Sequence, residues 1–230
     1  MRNMESSESN SIIDIKTFIP GKIICIGMNY KSHILEQDGR FPEKPVLFAK
    51  SNSSIIKNGE NIIYPAQITQ LDYEVELAVI IGKKMKNIAE NQVQEFIYGY
   101  TVMNDITARD CQKSDGQWFR AKSFDTFAPI GPEIILQENL PDAQNLNIKS
   151  YVNGELRQNA NTSDMIFKIN ELISFISMSQ TLERGDLVST GTPAGVGIFM
   201  KEKKLLMPGD EVVCEIEKIG ILINKVKAEE

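Results

Sequence analysis

The sequence is poor in the residues that soft metals and disulfide frameworks require. It contains three cysteines, Cys25, Cys111 and Cys214, which are far apart and form no Cys-x-x-Cys pair, and one histidine, His33. This spacing excludes a zinc knuckle and argues against a disulfide-stapled secreted domain. We therefore expect a cytoplasmic protein, and any metal site in it should be built from oxygen ligands.

Two further absences limit the partners of the chain. No apolar run is long enough to span a bilayer, and the first 10 residues lack the apolar core of a secretory signal. The 25 basic and 31 acidic residues give a net charge of −6, without a block of lysine and arginine interleaved with aromatics. The sequence therefore predicts neither a membrane nor a nucleic-acid partner, and an anionic substrate would be attracted locally, by a metal ion and a few placed cations.

The length and apolar content predict one substantial domain. The chain has 230 residues, of which 42% are hydrophobic, which is enough for a sizeable core. We predict a disordered tail over residues 1–10 and a single catalytic domain over residues 11–230. Within that domain, residues 11–70 are expected to form a lid and entrance region, and residues 71–230 a metal-binding core.

Strand patterns outnumber helical patterns, which predicts an α+β fold rich in β-structure. Asn153-Gly154 lies between two alternating arms and predicts a hairpin. A turn at 208–210 precedes the strict alternation of residues 211–217, so we expect an antiparallel sheet near the C-terminus.

Three segments have helical spacing. Residues 91–97 and 170–180 carry apolar stripes typical of helices that pack on a sheet, and residues 30–36 form a third, shorter candidate. The third is the most informative of the three, because it contains the single histidine.

Three carboxylates lie in or beside apolar, strand-like segments. Glu74 and Glu76 begin the segment 74–82 and, being two residues apart, share one face of a strand; Asp105 ends the segment 98–105. Neighbouring carboxylates repel by roughly 1 kcal/mol or more, so a cation is expected between them. Oxygen ligands favour Mg²⁺, with Mn²⁺ or Ca²⁺ as alternatives. The alternative is a solvated Glu-x-Glu face, and Asp72 is either a further ligand or a residue at the strand entrance.

His33 and Glu36 are spaced three residues apart in the short helical segment. One helical turn would place them within reach of each other, and a carboxylate that orients an imidazole makes a plausible general base for water. The alternative is a surface histidine beside an incidental glutamate. The stretch that follows contains Gly39, Pro42 and Pro45 and reads as a loop able to close over a site.

Lys122 and a glycine-rich segment are two further candidates. Lys122 follows Trp118 and Phe119, and a buried lysine there would stabilise an oxyanion, although such lysines ordinarily extend to water. Residues 191–197 match neither a P-loop nor a dinucleotide fingerprint. They would present N–H groups and the Thr192 hydroxyl to a small carboxylate, or else form only a tight turn.

Taken together, these motifs closely resemble the fumarylacetoacetate hydrolase family. The matching segments occur in the family's order, from about residue 20 to the C-terminus: 27–30 with His33 and Glu36, 71–77, 104–110, 121–125, 152–155 and 190–197. The chain looks like the short acylpyruvase type, without the extra SH3-like N-terminal domain.

The resemblance implies a fold, an assembly and a role for each site residue. The fold would be the mixed β-sandwich or β-roll of the family's C-terminal domain, usually in a homodimer. The implied roles fall into three groups: metal ligands Glu74, Glu76 and Asp105 for Mg²⁺ or Mn²⁺; catalytic residues His33 and Glu36 on a mobile lid, with Lys122; and substrate-binding residues Arg109, Gln112 and Thr192.

The reaction expected first is hydrolysis of the C–C bond of acylpyruvates, which are 2,4-dioxo acids, through a metal-stabilised pyruvate enolate. Decarboxylation of oxaloacetate is a possible second activity of the same residues. The runner-up is isomerisation or decarboxylation of 2-hydroxymuconate-type diacids in aromatic catabolism. A reading of another class is a metal-stabilised binding protein without catalysis.

Overall fold

The structure, a computed structural model, describes residues 12–230, so the predicted tail lies outside the described residues. The described chain is β-rich with few helices, as the sequence predicts. Its strands are β1 (Ile23–Gly27), β2 (Val46–Lys50), β3 (Ile55–Lys57), β4 (Asn61–Tyr64), β5 (Leu71–Asp72), β6 (Val75–Ile81), β7 (Ile97–Asn104), β8 (Thr107–Ala108), β9 (Ala128–Leu136), β10 (Asn147–Val152), β11 (Glu155–Asn161), β12 (Leu187–Ser189), β13 (Glu211–Ile216) and β14 (Gly220–Ala228).

A seven-stranded mixed sheet forms the centre of the molecule. Its order is β2-β1-β12-β6-β7-β9-β3, with parallel pairing between β1 and β12 and between β3 and β9. Every residue of the central strand β6 is buried, which explains why its sequence is a near-continuous apolar run. The only charged residue in that run is Glu76, so the sheet buries a carboxylate at its core.

The second sheet has five strands in the order β11-β10-β13-β14-β4. The predicted hairpin is confirmed: β10 and β11 are joined at Asn153 and Gly154, whose φ angles of 52° and 78° suit a tight two-residue turn. The predicted C-terminal antiparallel sheet is confirmed for β13 and β14, while β4 joins β14 in parallel at the edge. Apolar residues of both sheets belong to one large core cluster.

The helices are short and flank the sheets. They are α1 (Lys31–Glu36), α2 (Arg109–Asp115), α3 (Phe119–Lys122) and α4 (Ile169–Ser179), with 3₁₀-helices at Asn52–Ser54, Glu90–Phe96, Gln137–Asn139, Thr162–Asp164 and Gly197–Phe199. Within residues 12–230, no helix combines the length and the apolar character needed to cross a bilayer.

Two of the three predicted helices are confirmed as α-helices, α1 and α4. The segment at 91–97 is instead the 3₁₀-helix Glu90–Phe96, because it buries only Val93 and runs directly into β7. The sequence did not predict α2 and α3. Their buried residues include Arg109 and Lys122, so neither helix shows an apolar stripe.

The pairing of β6 with β7 places the predicted carboxylates together. Val75 at the start of β6 lies opposite Asn104 at the end of β7. Glu74 therefore precedes β6 beside Asp105, which follows β7, and the Asp105 N–H donates to the Glu74 carbonyl at 2.8 Å. Antiparallel pairing alone brings together two segments that are about thirty residues apart in the sequence.

Candidate active site

Three buried carboxylates form the centre of the site. Glu74, Glu76 and Asp105 are at most 5% exposed, and one oxygen of each lies within 4.8 Å of the others. The structure therefore brings together all three predicted metal ligands and excludes the solvated Glu-x-Glu reading. A compact set of carboxylate oxygens is the donor set that hard divalent cations prefer.

Two lysines approach this cluster from within the protein. Lys122 donates to Glu74 Oε2 and to Asp105 Oδ2, both at 2.7 Å, and its side chain is 2% exposed, so it does not extend to water. The second lysine, Lys50, was not predicted; it is the last residue of β2, and its ammonium contacts Asp105 Oδ1 and the Ile106 carbonyl. The available sign was a lysine that ends an apolar strand.

Arg109 joins the carboxylate cluster to Asp72. Its Nη2 donates to Glu74 Oε1 at 2.6 Å, its Nε to Asp72 Oδ2 at 2.9 Å, and its Nη1 to Gln112 Oε1 at 3.0 Å. Asp72 lies outside the group of three carboxylates. Of the two readings of Asp72, the structure supports an anchor at the strand entrance.

The ionisable groups buried at the site do not balance in formal charge. Four buried carboxylates face three buried cations, which leaves one negative charge. Glu76 has only neutral donors, the Ser189 hydroxyl and the Gly191 N–H. Burial, Asp105 and Glu74 raise the pKa of Glu76 to about 8.

Glu74 shows the opposite shift, because cations touch it. Burial raises its pKa, but Lys122 and Arg109 outweigh burial and bring the pKa down to about 2. The uncompensated charge therefore belongs to Glu76 and its neighbours. Buried oxygen donors with excess negative charge fit a divalent cation such as Mg²⁺.

The predicted dyad is formed on α1. His33 Nδ1 lies 2.6 Å from Glu36 Oε1, and His33 is only 7% exposed, so it is not a surface histidine. The second carboxylate oxygen of Glu36 accepts from the Gly195 N–H at 2.8 Å. Phe199 packs against the imidazole at 5.9 Å between ring centroids. The glycine-rich segment thus holds the dyad through Glu36, and Phe199, two residues beyond that segment, packs on the ring.

The glycine-rich segment also contacts β6, the strand that carries Glu76. Gly191 has φ +96°, and a Cβ there would lie 2.9 Å from the Asn29 side chain, so glycine is required for the close approach. Thr192 donates its hydroxyl to the Val75 carbonyl and accepts from Gln158, both within 2.9 Å. The Thr192 hydroxyl therefore ties the segment to β6.

One pocket collects most of the predicted site residues. Its lining includes His33, Glu74, Glu76, Arg109, Gln112, Lys122 and Thr192. Glu36 and Asp105 do not line it but bond directly to His33 and Lys122. The remaining wall was not predicted as part of the site and consists of Ile26, Gly27, Met28, Gln37, Phe48, Trp118 and Phe199. This largely apolar wall limits the water that reaches the charged groups.

The β-rich fold with a buried carboxylate cluster and a histidine dyad defines a class of metal-binding enzymes. The family model for the fumarylacetoacetate (FAA) hydrolase C-terminal domain matches residues 22–227. The chain belongs to the FAA hydrolase family.

Several named proteins are similar over most of this chain. An uncharacterized protein of Methanocaldococcus jannaschii is 52% identical, with 95% of this chain and 88% of that protein covered. A mitochondrial oxaloacetate tautomerase, Fahd2a of Rattus norvegicus, is 47% identical over 90% of this chain and 66% of its own length. The chain thus spans about two thirds of that relative.

Solved structures give the same family. A 2-hydroxyhepta-2,4-diene-1,7-dioate isomerase from Mycobacterium marinum matches with a TM-score of 0.82 and 40% identity, covering 92% of this chain and 76% of that one. A fumarylacetoacetate hydrolase from Exiguobacterium antarcticum matches with a TM-score of 0.86 and 43% identity, at the same coverages. Proteins similar to this chain therefore carry hydrolase, isomerase and tautomerase names.

Proposed function

We propose that the chain is a metal-dependent enzyme that enolises 2-oxo acids, and that its main reaction is the keto–enol tautomerisation of oxaloacetate. The observation that carries the proposal is that a histidine held by a carboxylate, a buried ammonium and three carboxylates fit for a cation lie in or directly beside one pocket. The tautomerase name of the Rattus norvegicus relative supports this choice among the reactions that the residues allow.

His33 is the group that moves the proton. Because Glu36 accepts from Nδ1, the neutral ring carries its proton there and leaves Nε2 as the base. Nε2 would remove a proton from C3 of oxaloacetate, and the electron pair would move onto the 2-oxo oxygen. Return of that proton from the His33 imidazolium to the oxygen gives the enol and neutral His33, and the reverse sequence restores the ketone, so atoms and charges balance.

Lys122 stabilises the charge that develops on the oxygen. Although burial lowers the pKa of Lys122, Asp105 and Glu74 raise it above its ordinary value, so the ammonium stays charged at neutral pH. A fixed ammonium in a dry pocket stabilises an oxyanion more strongly than water does. Glu74, Glu76 and Asp105 would hold the divalent cation, which when bound polarises the 2-oxo group as a Lewis acid.

A second candidate is hydrolysis of an acylpyruvate. It is favoured by the same dyad, since His33 held by Glu36 is also suited to activate a water molecule, and by the hydrolase name of the Exiguobacterium antarcticum structure. Decarboxylation of oxaloacetate would need only the stabilised enolate. Isomerisation of a 2-hydroxymuconate-type diacid would need proton transfer along a longer chain of carbon atoms.

The test is a comparison of substrates with Mg²⁺ and with EDTA. The decay of enol oxaloacetate is followed by its ultraviolet absorbance, and pyruvate release is measured from oxaloacetate and from acetylpyruvate. Oxaloacetate also reacts without enzyme, so His33→Ala protein at the same Mg²⁺ concentration gives the background.

Each outcome assigns a reaction. Metal-dependent enol decay that His33→Ala abolishes supports the tautomerase. Faster pyruvate release from acetylpyruvate would replace it with the hydrolase, and pyruvate release from oxaloacetate without faster enol decay would replace it with the decarboxylase. Thermal stabilisation by Mg²⁺ without turnover would favour the binding protein.

A further inference from the structure

Asp72 is the most heavily bonded carboxylate near the pocket, although it does not line it. The residue is fully buried at the end of β5. Its Oδ1 accepts from the N–H groups of Tyr73 at 3.0 Å and Gly197 at 2.8 Å. Its Oδ2 accepts from Arg109 Nε at 2.9 Å and from the Ile198 N–H at 3.1 Å. A carboxylate offers about four lone-pair positions, so Asp72 is saturated.

These bonds connect two parts of the site. On one side Arg109 leads to Glu74 and Gln112. On the other side lies the Phe199 turn, which we define as residues 196–199 and which places the Phe199 ring against His33. Asp72 accepts hydrogen bonds both from Arg109 and from the Phe199 turn. The carboxylate cluster and the His33–Glu36 dyad are therefore both linked to Asp72.

We propose that Asp72 is a positioning residue that fixes the Phe199 turn against His33 and, through Arg109, orients Glu74 and Gln112. Its effect on turnover rests on the proposed function of His33. Its effect on the position of the imidazole and on Mg²⁺ affinity does not depend on which reaction the protein catalyses.

The packing of the Phe199 turn supports this role. A Cβ added at Gly197 would lie 2.5 Å from the Lys204 carbonyl oxygen and 2.7 Å from Asp72 Oδ1, so the turn is seated directly on the carboxylate. An asparagine could not replace Asp72, because its amide has one acceptor oxygen and its NH₂ group would face N–H donors. In either orientation of the amide the Phe199 turn loses one of its two acceptors, and in one of them Arg109 loses its acceptor as well.

Arg109 links Asp72 to Glu74 and Gln112, and through them to metal and substrate binding. It donates to Gln112 Oε1, which leaves the Gln112 amide NH₂ as a donor for a substrate oxygen in the pocket. Without Asp72, the charge of Arg109 would be balanced by Glu74 alone. Arg109 would then hold Glu74 more tightly and repel a cation from the cluster.

The test compares Asp72→Asn with Asp186→Asn. Asp186 is a matched control, because it is also buried and accepts from the backbone N–H groups of Lys22 and Glu183, on the seven-stranded sheet. His33 is the only histidine, so its ring protons are unambiguous in NMR spectra. Phe199→Leu gives the reference shift of an imidazole without the aromatic ring beside it.

In Asp72→Asn, we expect the His33 ring protons to move toward the Phe199→Leu positions, with a roughly 10- to 100-fold loss of kcat and about 10-fold weaker Mg²⁺ binding. Asp186→Asn should lose thermal stability but keep the His33 shifts and the Mg²⁺ affinity. Folded Asp72→Asn protein with wild-type His33 shifts would overturn the proposal, as would equal shifts in both variants.

Gly197→Ala tests the same anchor without touching Arg109. It should displace the Phe199 turn, so the His33 shifts change and kcat falls, with a smaller loss of Mg²⁺ affinity than in Asp72→Asn, because Arg109 keeps its charged acceptor. This variant decides the matter if Asp72→Asn does not fold, and unchanged His33 shifts in Gly197→Ala would overturn the proposal. A wild-type protein without turnover would refute the proposed function but leave both NMR results decisive.

Discussion

The carboxylate cluster and the dyad face the same pocket but differ in what holds them. Glu76 lies within β6, the fully buried central strand, and Glu74 and Asp105 flank paired strand ends. His33 lies on the six-residue helix α1, whose N-cap residue, Tyr30, makes no side-chain capping bond. The cluster is thus fixed by sheet pairing, whereas the dyad depends on a few polar contacts.

Because of this difference, metal binding and proton transfer should be lost through different mutations. Damage to the cluster should remove metal binding and every reaction that needs it. Damage to the dyad should remove proton transfer and leave metal binding intact, because α1 is not part of the seven-stranded sheet. Variants of the carboxylate cluster and variants of the dyad can therefore test this difference. The largest effects are expected at the cluster.

Glu76→Ala should have the largest effect. It removes the one carboxylate of the cluster that has only neutral partners, so we expect no measurable Mg²⁺ binding and turnover at the background rate. Above pH 8, where Glu76 is ionised in the metal-free protein, relief of its repulsion with Asp105 and Glu74 should offset part of the stability that the truncation costs. Calorimetric titration measures Mg²⁺ binding, and thermal unfolding measures the metal-free stability.

The exposed Glu95→Ala provides the control for Glu76→Ala and should behave as wild type. Wild-type Mg²⁺ affinity in Glu76→Ala would contradict the ligand assignment.

His33→Ala should be next in size. Loss of the base is expected to lower kcat about 10²- to 10⁴-fold, while Mg²⁺ affinity stays unchanged. Leu35→Ala is the matched control, because Leu35 lies on the same helix but is 65% exposed. Turnover and calorimetry together decide the outcome. A parallel loss of Mg²⁺ affinity in His33→Ala would mean that the two halves are not separable.

The sequence predicted each half for a different reason. The cluster was predictable because strand periodicity places Glu74 and Glu76 on one face, and the dyad because His33 and Glu36 are one helical turn apart. Both are local patterns. The role of Lys50 depends on β2 reaching the sheet edge beside β1, and Asp72 is bonded to residues 125 and 126 positions away. Such long-range partners leave no trace in local spacing.

The pH dependence of Mg²⁺ binding should be a smaller effect than that of His33→Ala. It should arise in the carboxylate cluster alone. Burial, Asp105 and Glu74 raise the pKa of Glu76 to about 8, from an ordinary value of 4.5. Below pH 8 the metal-free protein keeps Glu76 protonated, so Mg²⁺ must displace a proton and binds more tightly as the pH rises toward 8.

The same shift predicts how stability changes with pH. The folded state binds the proton more tightly than the unfolded state, so the contribution of Glu76 to metal-free stability is greatest below pH 4.5 and is lost as the pH rises to about 8. Saturating Mg²⁺ should reverse that loss. Unfolding at several pH values, with Glu76→Gln as the control without a titrating group, measures the effect. Equal Mg²⁺ affinity at pH values below and above neutrality would contradict the raised pKa of Glu76.

Ser32→Ala should have the smallest effect and acts on the dyad side alone. The Ser32 hydroxyl donates to Asp164 Oδ2 at 2.7 Å, and its backbone N–H donates to the same oxygen at 3.1 Å and is kept in the variant. The hydroxyl also accepts from the Ala194 N–H at 3.4 Å, a weaker bond. Losing both hydrogen bonds should lower stability by about 1 kcal/mol. Because α1 is then held less firmly against residues 162–164, kcat should fall several-fold at unchanged Mg²⁺ affinity, whereas the exposed Ser53→Ala should change neither. If Ser32→Ala weakened Mg²⁺ binding as much as it slowed turnover, α1 would have to be counted as part of the metal-binding half.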